Sequence, residues 1–115
     1  MENIKRVYNN EIGISFFWRD RNYSEKVQII FKDIGFHLTT QEIEYFNKYI
    51  LEAKLQERCS TCEAGRFCRS ILLKTPSGKV SMAVSLNELE LIEDLLSGTL
   101  FQLNLSDYLK DLCKN

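Results

Sequence analysis

The sequence predicts an α+β domain: an antiparallel sheet of four to six strands, two pseudo-repeated helices on one face, and a short C-terminal helix. Three observations predict it. Two capping boxes, Thr39-Thr40-Gln41-Glu42 and Ser85-Leu86-Asn87-Glu88, place a hydroxyl residue three positions before a glutamate, so that each side chain satisfies a backbone N–H at a helix start. The second box stands 46 residues after the first, and the same offset pairs Ile43 with Leu89, Phe46 with Ile92, Tyr49 with Leu95 and Ile50 with Leu96. Upstream of each box, apolar residues alternate with polar ones on both sides of a turn, the pattern of a β-hairpin. One such strand-strand-helix unit cannot cover its own apolar faces, whereas two together can.

The chain opens with a strand pair: residues 4–8, a turn at Asn9-Asn10, then Ile12, Ile14, Phe16 and Trp18 alternating with Gly13, Ser15 and Phe17. The first unit, about residues 25–58, has Val27, Ile29 and Phe31, a turn at Lys32-Asp33-Ile34-Gly35, then Phe36 and Leu38. Its helix runs to about Arg58, with Ile43, Phe46, Tyr49 and Ile50 stepping by three and four residues along one stripe while Glu44, Lys48 and Glu52 fall mostly off it. A loop over residues 59–69 holds three cysteines. The second unit, about residues 70–98, places Ile71 and Leu73 before a Pro76-Ser77-Gly78 turn and Val80, Met82 and Val84 after it. Its helix ends near Gly98, a good C-terminal cap. In the closing segment, residues 99–115, Phe101, Leu103 and Leu105 lead into Ser106-Asp107 and a short helix whose Tyr108, Leu109 and Leu112 pack inward.

At 115 residues this is a single domain, able to bury a core without disulfides or a structural metal. A hydrophobic share of 44% with one proline and five glycines argues against disorder. The balance of 15 basic against 16 acidic residues gives a net charge of −1, which excludes bulk electrostatic attraction to nucleic acid or acidic lipid. Trp18-Arg19-Asp20-Arg21 and Arg66-Phe67-Cys68-Arg69 mix rings and cations as single-strand binders do, but Asp20 and the low net charge weigh against that use. The start, Met1-Glu2-Asn3-Ile4-Lys5-Arg6, has no apolar stretch behind it, and no run approaches the ~18 apolar residues of a membrane span, so the expected location is cytoplasmic.

The stretch Val27-Gln28-Ile29-Ile30-Phe31-Lys32-Asp33-Ile34-Gly35-Phe36-His37-Leu38-Thr39 with its helix, and the later segment 74–96, resemble an uncharacterised family of short proteins from Bacteroidota. The similarity covers roughly residues 10–98. It implies tandem strand-strand-helix units and a bacterial source, and it brings no activity. Members carry a Cys-x-x-Cys on the strand before the first hairpin; this chain reads Phe17-Trp18-Arg19-Asp20-Arg21-Asn22 there, a departure that leaves no shared metal or redox site to carry over.

The most pointed local feature is Cys59-Ser60-Thr61-Cys62-Glu63-Ala64-Gly65-Arg66-Phe67-Cys68. Two thiolates separated by two residues grip one ion from a single turn, and a third supplies three of the four ligands that zinc or an iron–sulfur cluster takes. The run resembles the start of the cluster-binding extension of some radical enzymes, whose fourth cysteine follows within a few residues; here Arg69-Ser70-Ile71-Leu72 offers none, and Cys113 is the remaining thiol. Arg58, Arg66 and Arg69 would favour thiolates if close in space. Two other readings stay open: reduced thiols packed as small hydrophobes, and redox or disulfide switching. His37, the one histidine, lies between Phe36 and Leu38 and alternates away from both, so it faces solvent, and no hydrolytic triad can be assembled around it. Glu42, Glu44, Glu88, Glu90, Glu93 and Asp94 could suggest a divalent cation but read as a solvated helix face.

Phe16-Phe17-Trp18 is the other unusual feature. Neighbouring strand residues face opposite sides, so burying Phe16 and Trp18 turns Phe17 outward, toward a partner or under the terminal segment 100–112, and the reverse choice exposes two rings. Phe16, Phe17 and Trp18 are therefore the expected self-association surface. The functional expectation is a non-catalytic interaction or regulatory module acting as a homodimer, its ligand unspecified. The alternative is a metal-binding or thiol-redox protein using Cys59, Cys62, Cys68 and Cys113. No acid–base constellation marks an enzyme.

Overall fold

Alternation along four strands builds the main sheet of the computed structural model, which describes residues 4–18, 26–56 and 68–112. Strands β1 (Ile4–Asn9), β2 (Gly13–Trp18), β3 (Val27–Phe31) and β4 (Ile34–Leu38) pair antiparallel in chain order. Helix α1 (Thr40–Ala53) follows, then a separate hairpin of β5 (Ile71–Lys74) and β6 (Ser81–Val84), then helix α2 (Leu86–Leu112). The α+β class is as expected, but six strands divide into a four-stranded and a two-stranded sheet among the described residues. Helix α1 packs against both β4 and β5, so side-chain packing joins the sheets and no ladder is needed.

Of the inward positions foreseen in the two hairpins, Val27, Ile29, Phe31, Phe36 and Leu38 in the first and Ile71, Leu73, Met82 and Val84 in the second are buried, whereas Val80 is exposed because it belongs to the turn before β6. They meet Ile43, Phe46 and Ile50 of α1 and Leu89, Ile92, Leu95 and Leu96 of α2 in one core. Phe31, Phe36 and Phe46 stack together with centroids 5.3 to 6.1 Å apart. Each such side chain contributes about 1.5–3 kcal/mol by leaving water. His37 is exposed, on the opposite side of β4 from Phe36 and Leu38.

Both capping boxes form. The Thr39 hydroxyl accepts from the Glu42 N–H at 3.2 Å while Glu42 accepts from the Thr39 N–H at 2.9 Å. Ser85 and Glu88 repeat this at 3.1 and 3.0 Å.

Three boundaries differ from the sequence expectation. The β3–β4 turn is only Lys32-Asp33, and Ile34 and Gly35 already belong to β4. Lys32 sits in the left-handed region at φ 56°, where a non-glycine residue is disfavoured. Its ammonium donates to Ala83 O at 3.3 Å and lies 3.5 Å from Glu88, contacts that a glycine could not make. Helix α1 stops at Ala53 rather than near Arg58, with Lys54 as C-cap. Beyond it the Gln56 amide donates to Leu72 O at 2.6 Å and accepts from Leu72 N–H at 3.1 Å, acting as a short strand partner for β5.

The third difference is the largest. Helix α2 runs unbroken for 27 residues, so neither the expected end near Gly98 nor a separate short terminal helix is present. Gly98 has no positive φ and is not a left-handed cap. Its missing side chain instead makes room for the ring of Tyr8: a Cβ there would stand 2.4 to 2.6 Å from three ring carbons. Phe101, Leu103 and Leu105 are helical, and Tyr108, Leu109 and Leu112, expected to pack inward, are exposed. At about 1.5 Å per residue α2 is roughly 40 Å long. Its far end extends a molecule measuring 58 × 30 × 26 Å.

Candidate functional site

The aromatic run on β2 alternates as expected, in the phase that turns Phe17 toward the core. Ser15 and Phe17 face α2: the Ser15 hydroxyl lies 2.6 Å from that of Thr99, and Phe17 packs against the core. Phe16 and Trp18 therefore occupy the outer face of the sheet. There Phe16 meets Trp18 edge-on at 5.1 Å, and the Trp18 indole donates to Gln28 at 3.2 Å. Close helix approach sets the phase, because Ser15 and Thr99 are both fully buried and a larger residue at position 15 would push α2 away. Phe17 is thus covered by its own chain, and the surface left open is Trp18 with Ile30, each 38% exposed.

Most of the acidic residues considered as a cation site are committed to structural bonds. Glu88 caps α2, holds Arg69 through two parallel hydrogen bonds of 3.2 and 2.8 Å, and lies beside Lys32. Burial pushes its carboxyl pKa up. The Arg69 guanidinium, the Ser85 N–H and Lys32 outweigh that and hold it below the usual carboxylate value. Asp94 accepts from Tyr8 at 3.0 Å and from Asn10 at 2.9 Å, which raises the Tyr8 pKa through the hydrogen bond first, then through burial and the neighbouring charge. Glu93 pairs with Lys54 across the two helices. Among the described residues no three His, Cys, Asp or Glu side chains gather as metal ligands would.

Of the candidate thiols, Cys59, Cys62 and Cys113 lie outside the described residues, as do Arg58, Arg66 and the run 19–21. Cys68 is described and half-buried, three residues before β5 begins at Ile71, next to the Arg69 that Glu88 anchors. No helix among the described residues is long and apolar enough to cross a membrane.

An open groove lies between β1, β2, the start of α1 and the outer half of α2, its wall including Lys5, Phe17, Thr39, Leu103, Asp107 and Lys110. Arg6 and Trp18 also line it, so it mixes charges of both signs around two rings. The outer half of α2 carries the densest exposed apolar surface: Phe101 at 62%, Leu105 at 39%, Tyr108 at 60%, Leu109 at 49% and Leu112 at 58%. Composition hid this surface, because in sequence these residues read as a closing core segment. The helical spacing of 101, 105, 108 and 112 is the signal that would have found it.

These elements define an α+β protein of a four-stranded antiparallel meander, a second hairpin and two helices, the second helix long. The chain belongs to the family of unknown function DUF6686, which matches residues 1–112. No curated protein matches it, and no solved structure does.

Proposed function

We propose that this protein is a non-catalytic interaction or regulatory module that works as a homodimer, built from two tandem strand-strand-helix units. The observation that carries the reading is the outer half of α2, where five large apolar side chains stand 39% to 62% exposed on a helix that has left its own core. Such a surface costs solubility in a monomer and marks an interaction site. Meanwhile Glu88, Asp94, Asn10, Ser15 and Thr99 serve caps and cross-element bonds, which leaves them structural roles. Multi-angle light scattering at about 100 µM, a concentration that reveals modest self-association, tests it. The expected mass is twice the 13.5 kDa of one chain; a mass of 13.5 kDa throughout would oppose the dimer.

The second reading, metal binding or thiol redox chemistry, is supported by the Cys-x2-Cys-x5-Cys spacing and by Cys68 standing beside an anchored arginine. Zinc or an iron–sulfur cluster would take Cys59, Cys62 and Cys68, with Cys113 or an outside ligand as the fourth. Metal analysis of anaerobically purified protein tests its metal form: about one zinc or one cluster per chain, lost when Cys59 and Cys62 become serine, favours that form, and metal-free protein excludes it.

A further inference from the structure

We infer that two copies of this chain pair antiparallel through the outer halves of their α2 helices, along a seam of Phe101, Leu105, Tyr108 and Leu112. The inference rests on the homodimer reading and assigns its surface.

The four residues step by four, three and four positions. At about 3.6 residues per turn this keeps them on one narrow stripe, the a/d spacing of a helix pair. Leu103, which packs against the core, falls on the opposite side of the helix, so the stripe faces away from the protein's own sheet. The step pattern reads the same in both directions. A copy laid antiparallel therefore sets its Leu112 against Phe101 and its Tyr108 against Leu105, and every ring meets an aliphatic side chain.

Three further observations favour a second copy in this orientation. Toward its N-terminal end the stripe is closed by the Tyr8 ring lying on Gly98, so a parallel copy would run into β1. An antiparallel copy places its body beyond the free end of the helix. Asp111, a charge flanking the stripe, then comes nearest the neutral Asn104 on the same flank of the copy, so no like charge opposes it there. The exposed area also suffices: with fully exposed Leu, Phe and Tyr each near 200 Å², Leu109 and the four seam residues offer about 500 Å² per copy, or about 1,000 Å² in a pair, the lower bound for a specific interface. Interfaces at this low end of the size range are mostly weak and transient, so a micromolar dissociation constant is the working expectation. A membrane is a poorer occupant, because Asp107, Lys110 and Asp111 give this segment no cationic excess toward anionic lipid.

Sedimentation velocity over about 5–500 µM, spanning the expected dissociation constant, compares the full-length chain with two double variants. Leu105→Glu/Tyr108→Glu places acids on the seam beyond the core, and Trp18→Ser/Ile30→Lys alters the outer sheet face. The expected result is a wild-type dimer, weakened at least about a hundredfold in the seam variant and kept in the sheet variant, with the helical circular dichroism of the seam variant unchanged. A wild-type dimer that survives the seam variant, or that only the sheet variant dissolves, overturns the seam and leaves the homodimer reading standing. A wild type that stays monomeric overturns both.

Discussion

Replacing Gly98 by alanine separates two accounts of why a glycine stands there. In the interior of a helix the change ordinarily stabilises by about 1 kcal/mol, because alanine loses less backbone entropy. Here the added Cβ would lie 2.4, 2.5 and 2.6 Å from Cζ, Cε2 and Cε1 of Tyr8. Ordinary carbon contacts need about 3.5–4.0 Å, so the ring must retreat by roughly 1 Å. The retreat pulls on β1 and lifts the hydroxyl from Asp94. Overpacking of this kind costs about 1–3 kcal/mol, so Gly98→Ala is expected to destabilise by up to about 2 kcal/mol net. With Tyr8→Ala in the background the obstacle is gone, and the same change should stabilise by about 1 kcal/mol. A left-handed cap at Gly98 predicts otherwise: alanine would cost about 1 kcal/mol with or without the ring. Urea unfolding of the four proteins, followed by circular dichroism at 222 nm (about the helical minimum), decides between them. Equal destabilisation in both backgrounds would refute the packing account and with it the continuity of α2.

Thr99→Val keeps shape but removes the hydroxyl that joins the buried Ser15 on β2 to Leu95 O; it should cost about 1–2 kcal/mol, and adding Ser15→Ala should cost less than the sum, measured by the same unfolding curves. Glu88→Gln should show a pH signature. The folded carboxyl titrates below its ordinary value of 4.5, so the folded state binds fewer protons than the unfolded state, and the stabilisation is present above that value and lost as pH falls through the folded pKa. The variant should therefore be the less stable protein at neutral pH, with the gap to wild type closing as pH falls below 4.5, and a gap independent of pH would contradict the ion-pair assignment.

Local chemistry made the helix starts and hairpin faces legible, because a capping box and strict alternation each have one structural meaning. Thr39 and Ser85 cap as read, and nine of the ten inward positions read in the two hairpins are buried, the exception being Val80, which lies in the turn. What failed was ambiguous locally. A lone glycine after an apolar stripe suits a C-cap and an aromatic contact equally, and only the distant Tyr8 chooses between them. With Gly98 as a stop, the leucines after it read as a closing core segment instead of an exposed helix. The phase of Phe16, Phe17 and Trp18 depended likewise on a tertiary contact, the Ser15–Thr99 hydroxyl pair, which no spacing along β2 announces. Glu88 was legible as a cap, but its hold on Arg69 and Lys32 spans 19 and 56 residues and follows from topology alone.

Small-angle X-ray scattering of the full chain tests the homodimer and its geometry together. One protomer measures 58 Å along its longest axis. Two protomers overlapping only along the outer α2 segments, about 18 Å of helix, should give an elongated particle of about 100 Å with twice the mass of one chain. A particle of single-chain mass and near 58 Å in length would contradict the account at its centre.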